Sequence, residues 1–215
     1  MFNSIFDLIN HLNDILFFTD YQEIFDTLNW EKEAYAYNKE LSCKNEVNKI
    51  IRFLKTSLQE EIKFDEDGLT FKTPQGLYVI FVNKNLDDKE KELITIHEVG
   101  HIIASIKGDL SRTYVEEEVS ANIRGWQVIE LFKIKTKITK SDFFINGKRK
   151  GLMSYIEDEI NCFFTMQKNN NVTYSEDEWL FKQVYNLSDL DLTPEKIRKK
   201  INLYIRRRYE KYIEL

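Results

Sequence analysis

The run Leu93–Ile106 is apolar except for Thr95, His97, Glu98, Gly100, His101 and Ser105, and its flanks decide what it becomes. Asp87 and Asp88 offer an N-cap, Gly108 offers a left-handed stop, and no proline intervenes, so the segment reads as one helix through Ile106. A helix apolar around most of its circumference must be covered around most of it. The chain therefore has to build layers on this helix, which favours a folded molecule over a disordered or fibrous one. Composition agrees: 42% hydrophobic and 31% charged residues, with 7 glycines and 2 prolines among 215 residues, favour a helix-rich globule with one main core.

Upstream, the periodicity changes at Asp67-Gly68. Leu69–Thr73 alternates apolar and polar residues, Thr73-Pro74-Gln75-Gly76 has turn chemistry, and Leu77–Val82 is a continuous apolar run of strand formers. This predicts a β-hairpin whose second strand is buried on both faces. Asn83–Asp88 is a polar connection, and a second helix beyond the first is predicted over Tyr114–Phe132. At the N-terminus, Phe2, Ile5, Phe6, Ile9, Leu12, Ile15 and Leu16 recur at helical spacing and predict one helix. Thr19 or Asp20 caps another through Leu28, and Val47–Ile62 repeats the pattern. Farther on, Asn146-Gly147 suggests a hairpin turn, Tyr155–Met166 looks helical, and Lys168-Asn169-Asn170-Asn171 reads as a loop. Glu178–Tyr185 and Pro194–Ile213 complete the helices, the last opened by Thr193-Pro194. The expected class is α+β, helix-rich with a small β-sheet: an N-terminal helical region over 1–62, a core over 63–135 and a mainly helical C-terminal region over 136–215.

The N-terminus lacks early positive charge and carries Asp7 and Asp14, unlike a secretory signal, and no apolar run approaches the roughly 20 residues that span a bilayer. Cys43 and Cys162 stand far apart, so neither a disulfide framework nor a thiolate zinc site is signalled, and a cytoplasmic location is expected. The net charge of -5 argues against a surface built wholly for nucleic acid, but the charge is uneven. Residues 1–45 carry eight acidic against three basic side chains, and Glu195–Leu215 carries eight basic against three acidic. Arg206-Arg207-Arg208 among Tyr204, Tyr209 and Tyr212 admits a nucleic-acid reading. An amphipathic helix packed through Ile197, Ile201, Ile205 and Tyr212 with a solvated basic face is preferred.

Chemistry concentrates in His97-Glu98-Val99-Gly100-His101. Residues four apart on a helix differ by about 40° around the axis, so both imidazoles project from one face and can reach one zinc ion. Glu98 flanks the pair and is placed as a general base toward water acidified by the metal. The bland alternative, two satisfied histidines on a helix face, leaves the Glu98 carboxylate in an apolar run without a partner. Ile96, Val99, Ile102, Ile103 and Ile106 form the anchoring face, while Ile94, His97, Glu98, His101 and Ser105 share the other. Gly100 either permits close approach of a strand or is merely a tolerated helix glycine. A third ligand is needed, and the remaining histidine, His11, is remote. Of the consecutive Glu116, Glu117 and Glu118, only Glu118 falls beside the buried face marked by Val115, Val119 and Trp126; the alternative is a solvated acidic turn at a helix start. Asn122, one turn on, is a candidate partner that orients a ligand, or an ordinary polar residue.

These elements together resemble the ImmA/IrrE family of metallopeptidases: a strand ending at Asn83, the His97-Glu98-Val99-Gly100-His101 helix and the later Glu118-Val119-Ser120-Ala121-Asn122 helix. The resemblance covers about Leu69 to Leu131. It implies a compact zincin-like protease fold holding Zn2+ through His97, His101 and Glu118, with Glu98 as base. It also implies a protein substrate, a helix-turn-helix repressor in a mobile element, phage, stress or defence setting. The chain departs from the family in its acidic N-terminal region, a poor candidate for the DNA-binding domain that members often carry, and in Arg124-Gly125-Trp126, where small residues usually follow. On this reading the enzyme hydrolyses peptides, Leu69–Thr73 is either an edge strand that aligns an extended substrate or a plain edge strand, and Tyr114 is a candidate to stabilise the oxyanion. The competing reading is a non-cleaving zinc-containing partner that sequesters a repressor or toxin.

Overall fold

The computed structural model describes residues 2–62, 67–109, 113–147, 149–169, 174–188, 191–210 and 212. The chain runs α1 (Ile5–Ile9), β1 (Ile15–Phe18), α2 (Tyr21–Thr27), α3 (Trp30–Tyr37), α4 (Lys44–Ile62), β2 (Gly68–Lys72), β3 (Tyr78–Val82), α5 (Asp88–Lys107) and α6 (Tyr114–Phe132). A π-helical segment (Asp142–Gly147), α7 (Arg149–Asn169), α8 (Tyr174–Tyr185) and α9 (Pro194–Tyr209) follow. This is a helix-rich α+β chain with a small mixed sheet in the order β1-β3-β2. It divides into two units, the first comprising Met1–Ile102 with Gly125–Lys137 and the second Ile103–Arg124 with Ile138–Leu215.

In the first unit, β3 is central, parallel to β1 and antiparallel to β2. Register puts Leu16, Phe18, Leu69, Phe71, Val79 and Phe81 on one face, where they meet Ile24, Leu28 and Leu58 from α2 and α4. The opposite face, with Gly68, Thr70 and Ile80, meets α5: the Thr70 hydroxyl donates to the Glu98 carbonyl at 3.4 Å, and Gly68 lies against Ile94 and Glu98. Both faces are covered, so all of β3 is buried. The hairpin turn closes through Gly76, at φ 95, whose N–H donates to the Thr73 carbonyl at 2.8 Å. Glu33 of α3 clamps that turn, accepting from the backbone and side-chain amides of Gln75 at 3.2 and 2.6 Å.

The ends of α5 follow capping chemistry. Asp87 Oδ1 accepts from the Glu90 N–H at 2.8 Å while Glu90 Oε2 accepts from the Asp87 N–H at 3.2 Å, a reciprocal box with aspartate as the cap. Gly108, at φ 66, ends the helix. In the second unit α7 packs on α8 and α9 around Ile156, Phe163, Ile197 and Ile201, with the Phe163 and Phe181 rings stacked.

Several expectations are corrected. The predicted N-terminal helix stops at Ile9, capped by Ser4, and Ile15–Phe18 enters the sheet as β1. Ile15, Phe17 and Phe18 are β-branched or aromatic strand formers around the apolar Leu16, and the backbone bond from the Tyr78 N–H to the Asp14 carbonyl at 2.8 Å docks the run beside β3. Asn146-Gly147 turns no hairpin, because the segment continues as the π-helical turn that Thr139 caps by accepting from the Asp142 N–H at 3.0 Å. Lys168 and Asn169 belong to α7 rather than a loop; Asn170 and Asn171 lie outside the described residues. Helix α9 ends at Tyr209, and Ile213 lies outside the described residues. Ile106 is exposed near the end of α5, while Ile96, Val99 and Ile102 are buried as expected. Helix α3, capped by Asn29, was not foreseen.

Candidate metal centre

Helix α5 is buried continuously from Glu92 to Gly100, so His97 and Glu98 sit below the surface in a mostly apolar stretch of helix. His101, one turn on, is half-buried. The two imidazoles stand edge to face with Nε2 atoms 3.0 Å apart. On α6 the three glutamates part as helical geometry requires: Glu117 is exposed, Glu116 half-buried and Glu118 buried. Ligand-capable atoms of His97, His101 and Glu118 all lie within 4.8 Å of one another.

Two imidazoles and one carboxylate are a donor set that zinc takes in hydrolytic sites, leaving one position open. Two nitrogens at about 2.0–2.1 Å from a tetrahedral ion stand roughly 3.3 Å apart, close to the separation of the two rings. The residues present therefore suit a divalent transition ion.

Two glycines set the packing of α5. A Cβ at Gly68 would overlap Ile94 and stand 3.0 Å from Glu98 Oε1, so β2 lies closely beside the Glu98 side chain. A Cβ at Gly125 would overlap the backbone carbonyl of Ile96, so α6 crosses α5 at this point with no room for a side chain. The departure Arg124-Gly125-Trp126 thus places its smallest residue at the helix crossing. Arg124 pairs with Asp109 through two bonds of 2.7 and 3.0 Å. Gly100 is buried within α5, and at Gly68 and Gly125 a strand and a helix approach α5 closely.

Asn122 is completely buried, and its Nδ2 donates to the Tyr209 hydroxyl at 2.8 Å. Burial, and behind it the nearby Glu118 charge, push the Tyr209 phenol up from its ordinary value, while the Asn122 bond pulls the other way. Tyr114 is 63% exposed at the start of α6, a position ill suited to stabilising charge in a water-excluded site.

Sequence reasoning missed a buried network at the N-terminus of α6. Glu159 of α7 accepts from the Val115 N–H at 2.6 Å and from the Tyr185 hydroxyl at 2.7 Å, and Thr113 lies 2.7 Å from the same hydroxyl. Burial pushes the Glu159 carboxyl above its ordinary range against the opposing pull of these bonds. The one sequence signal was Glu159 itself, a charge between Ile156, Ile160 and Phe163 on the apolar face of α7.

No protein-family model, curated protein or solved structure matches this chain. Cys43 and Cys162 are free and exposed, and no described helix is long and apolar enough to cross a membrane.

Proposed function

We propose that the chain is a zinc-dependent metallopeptidase of the zincin-like kind, acting on a protein substrate, with a helix-turn-helix repressor as the substrate class. The observation that carries this reading is the convergence of His97, His101 and Glu118, with the buried Glu98 next to His97 on the same helix. A divalent ion held by the three ligands would supply Lewis acidity, polarising a carbonyl and lowering the pKa of water to about 7.

The remaining chemistry belongs to the chain. Glu98 has no role as a ligand in this set; it takes the proton from the attacking water and delivers it to the departing amine, which requires a carboxylate fixed in place. The fixing comes from the sheet, through the Thr70 bond to the Glu98 carbonyl and the close wall at Gly68. Strand β2, at the edge of the sheet formed by the described residues, offers its outer backbone groups to an extended peptide running past Glu98.

The test is incubation of purified helix-turn-helix repressors with wild type and with Glu98→Gln. Wild type is expected to cut one of them, and Glu98→Gln to retain its metal while losing at least about 100-fold in rate. Equal cleavage by both proteins would overturn the assignment of Glu98. Release of repression without cleavage would replace the peptidase with a sequestering partner.

A further inference from the structure

The C-terminal helix α9 lies outside every motif that points to the metal, yet Tyr209 near its end reaches the ligand-bearing face of α6. Three features meet there. Asn122 follows Glu118 by one helical turn, so the two side chains share a face of α6. The Asn122 amide, with no solvent exposure, is held by the Tyr209 hydroxyl at 2.8 Å. The tyrosine ring is itself fixed, 3% exposed, with the Phe144 ring 4.9 Å away, and Phe144 stacks in turn on Tyr212.

A fully buried amide and phenol are expensive to leave unpaired, so their pairing fixes the rotamer of each. A tyrosine serves here where phenylalanine would fill the same space. What the hydroxyl adds is a polar anchor for the turn of α6 that carries Glu118.

Resting on the metal reading above, we propose that Tyr209 is a positioning residue of the metal centre: through Asn122 it holds the Glu118 turn of α6 in the presentation that an ion requires. The C-terminal helix is thereby part of the site and not an appendage to it. Residues one step removed from a metal ligand commonly tune affinity by 10–100-fold, which sets the size of the expected effect.

The experiment measures Zn2+ affinity of the full chain by competition with a chromogenic chelator, alongside thermal unfolding of the metal-free protein. Tyr209→Phe keeps the ring and removes only the hydroxyl; it is expected to weaken Zn2+ binding by about 10–100-fold. Asn122→Ala should weaken it similarly, and the double variant should lose little more than either, because the two act as one unit. Unchanged Zn2+ affinity in Tyr209→Phe, with a lowered midpoint for the metal-free protein, would make the pair a structural hydrogen bond and overturn the proposal. Additive losses in the double variant would also overturn it, by separating Tyr209 from Asn122. Wild type that takes up no Zn2+ would strike the metal reading itself, an outcome distinct from a wild type that binds while Tyr209→Phe binds equally well. Should Asn122→Ala fail to fold, Asn122→Leu, which keeps a comparable volume and cannot bond the Tyr209 hydroxyl, takes its place in the cycle with the same expected loss.

Discussion

The middle of α5 and the first half of α6 both carry candidate ligands, but they are held by opposite means. Around His97 the hold is steric and apolar: Ile96, Val99 and Ile102 are buried, Gly68 admits the strand, and Gly125 admits the neighbouring helix. Around Glu118 it is polar: Glu159 takes the Val115 N–H, Tyr209 takes the Asn122 amide, and the Tyr204 hydroxyl donates to Glu116 at 3.4 Å. A site can thus place its imidazoles by close packing and its carboxylate by hydrogen bonds, and the two halves should answer to different perturbations.

Gly125→Ala attacks the packed half and should have the largest effect on stability. Overpacking costs about 1–3 kcal/mol, and here the obstacle is the Ile96 carbonyl and not a side chain that can swing aside. Because backbone cannot yield, the cost belongs at the top of that range, about 3 kcal/mol, and alanine's better helix propensity returns about 1 kcal/mol, leaving a net loss near 2 kcal/mol in urea unfolding. A neutral or stabilising result would mean the crossing is looser than its geometry.

Asp87→Ala removes the polar device at the entry of α5. The capping box lost there is worth about 1 kcal/mol, measurable in the same titration. A loss rivalling that of Gly125→Ala would blur the distinction between a helix held by packing and one held by polar contacts.

The smallest and most specific effect concerns α6. Because burial raises the Glu159 carboxyl, its protonated form is favoured in the fold. Its stabilising share is complete below the ordinary value of 4.5 and is lost as pH rises through the raised one. Glu159→Gln cannot titrate, so the stability of wild type relative to this variant should decline as pH rises from 4.5 across that window. A flat difference, or one of opposite slope, would mean that the hydrogen bonds to Val115 and Tyr185 outweigh burial.

The contrast also explains what could be read from the chain before folding. Helix α6 spans Tyr114–Phe132 in both sequence and structure, and the hairpin and the caps of α5 follow from turn and capping residues, because these signals are local. The choice of Glu118 over its neighbours rests on helical geometry, which is equally local. Strand β1 was misread because a short apolar segment with ambiguous period is settled by its partner, and that partner, β3, lies some sixty residues away. The bonds from Asn122 to Tyr209 and from the Val115 N–H to Glu159 escaped for the same reason, being long-range pairings that leave no mark on nearby sequence.

Metal analysis of the purified chain bears most directly on the centre formed by His97, His101 and Glu118. About one divalent transition-metal ion per chain is expected in wild type, with zinc the leading candidate, and its loss in His97→Ala and Glu118→Ala proteins that remain folded. A folded wild type with no stoichiometric metal, or a Glu118→Ala variant that keeps its full complement, would contradict it.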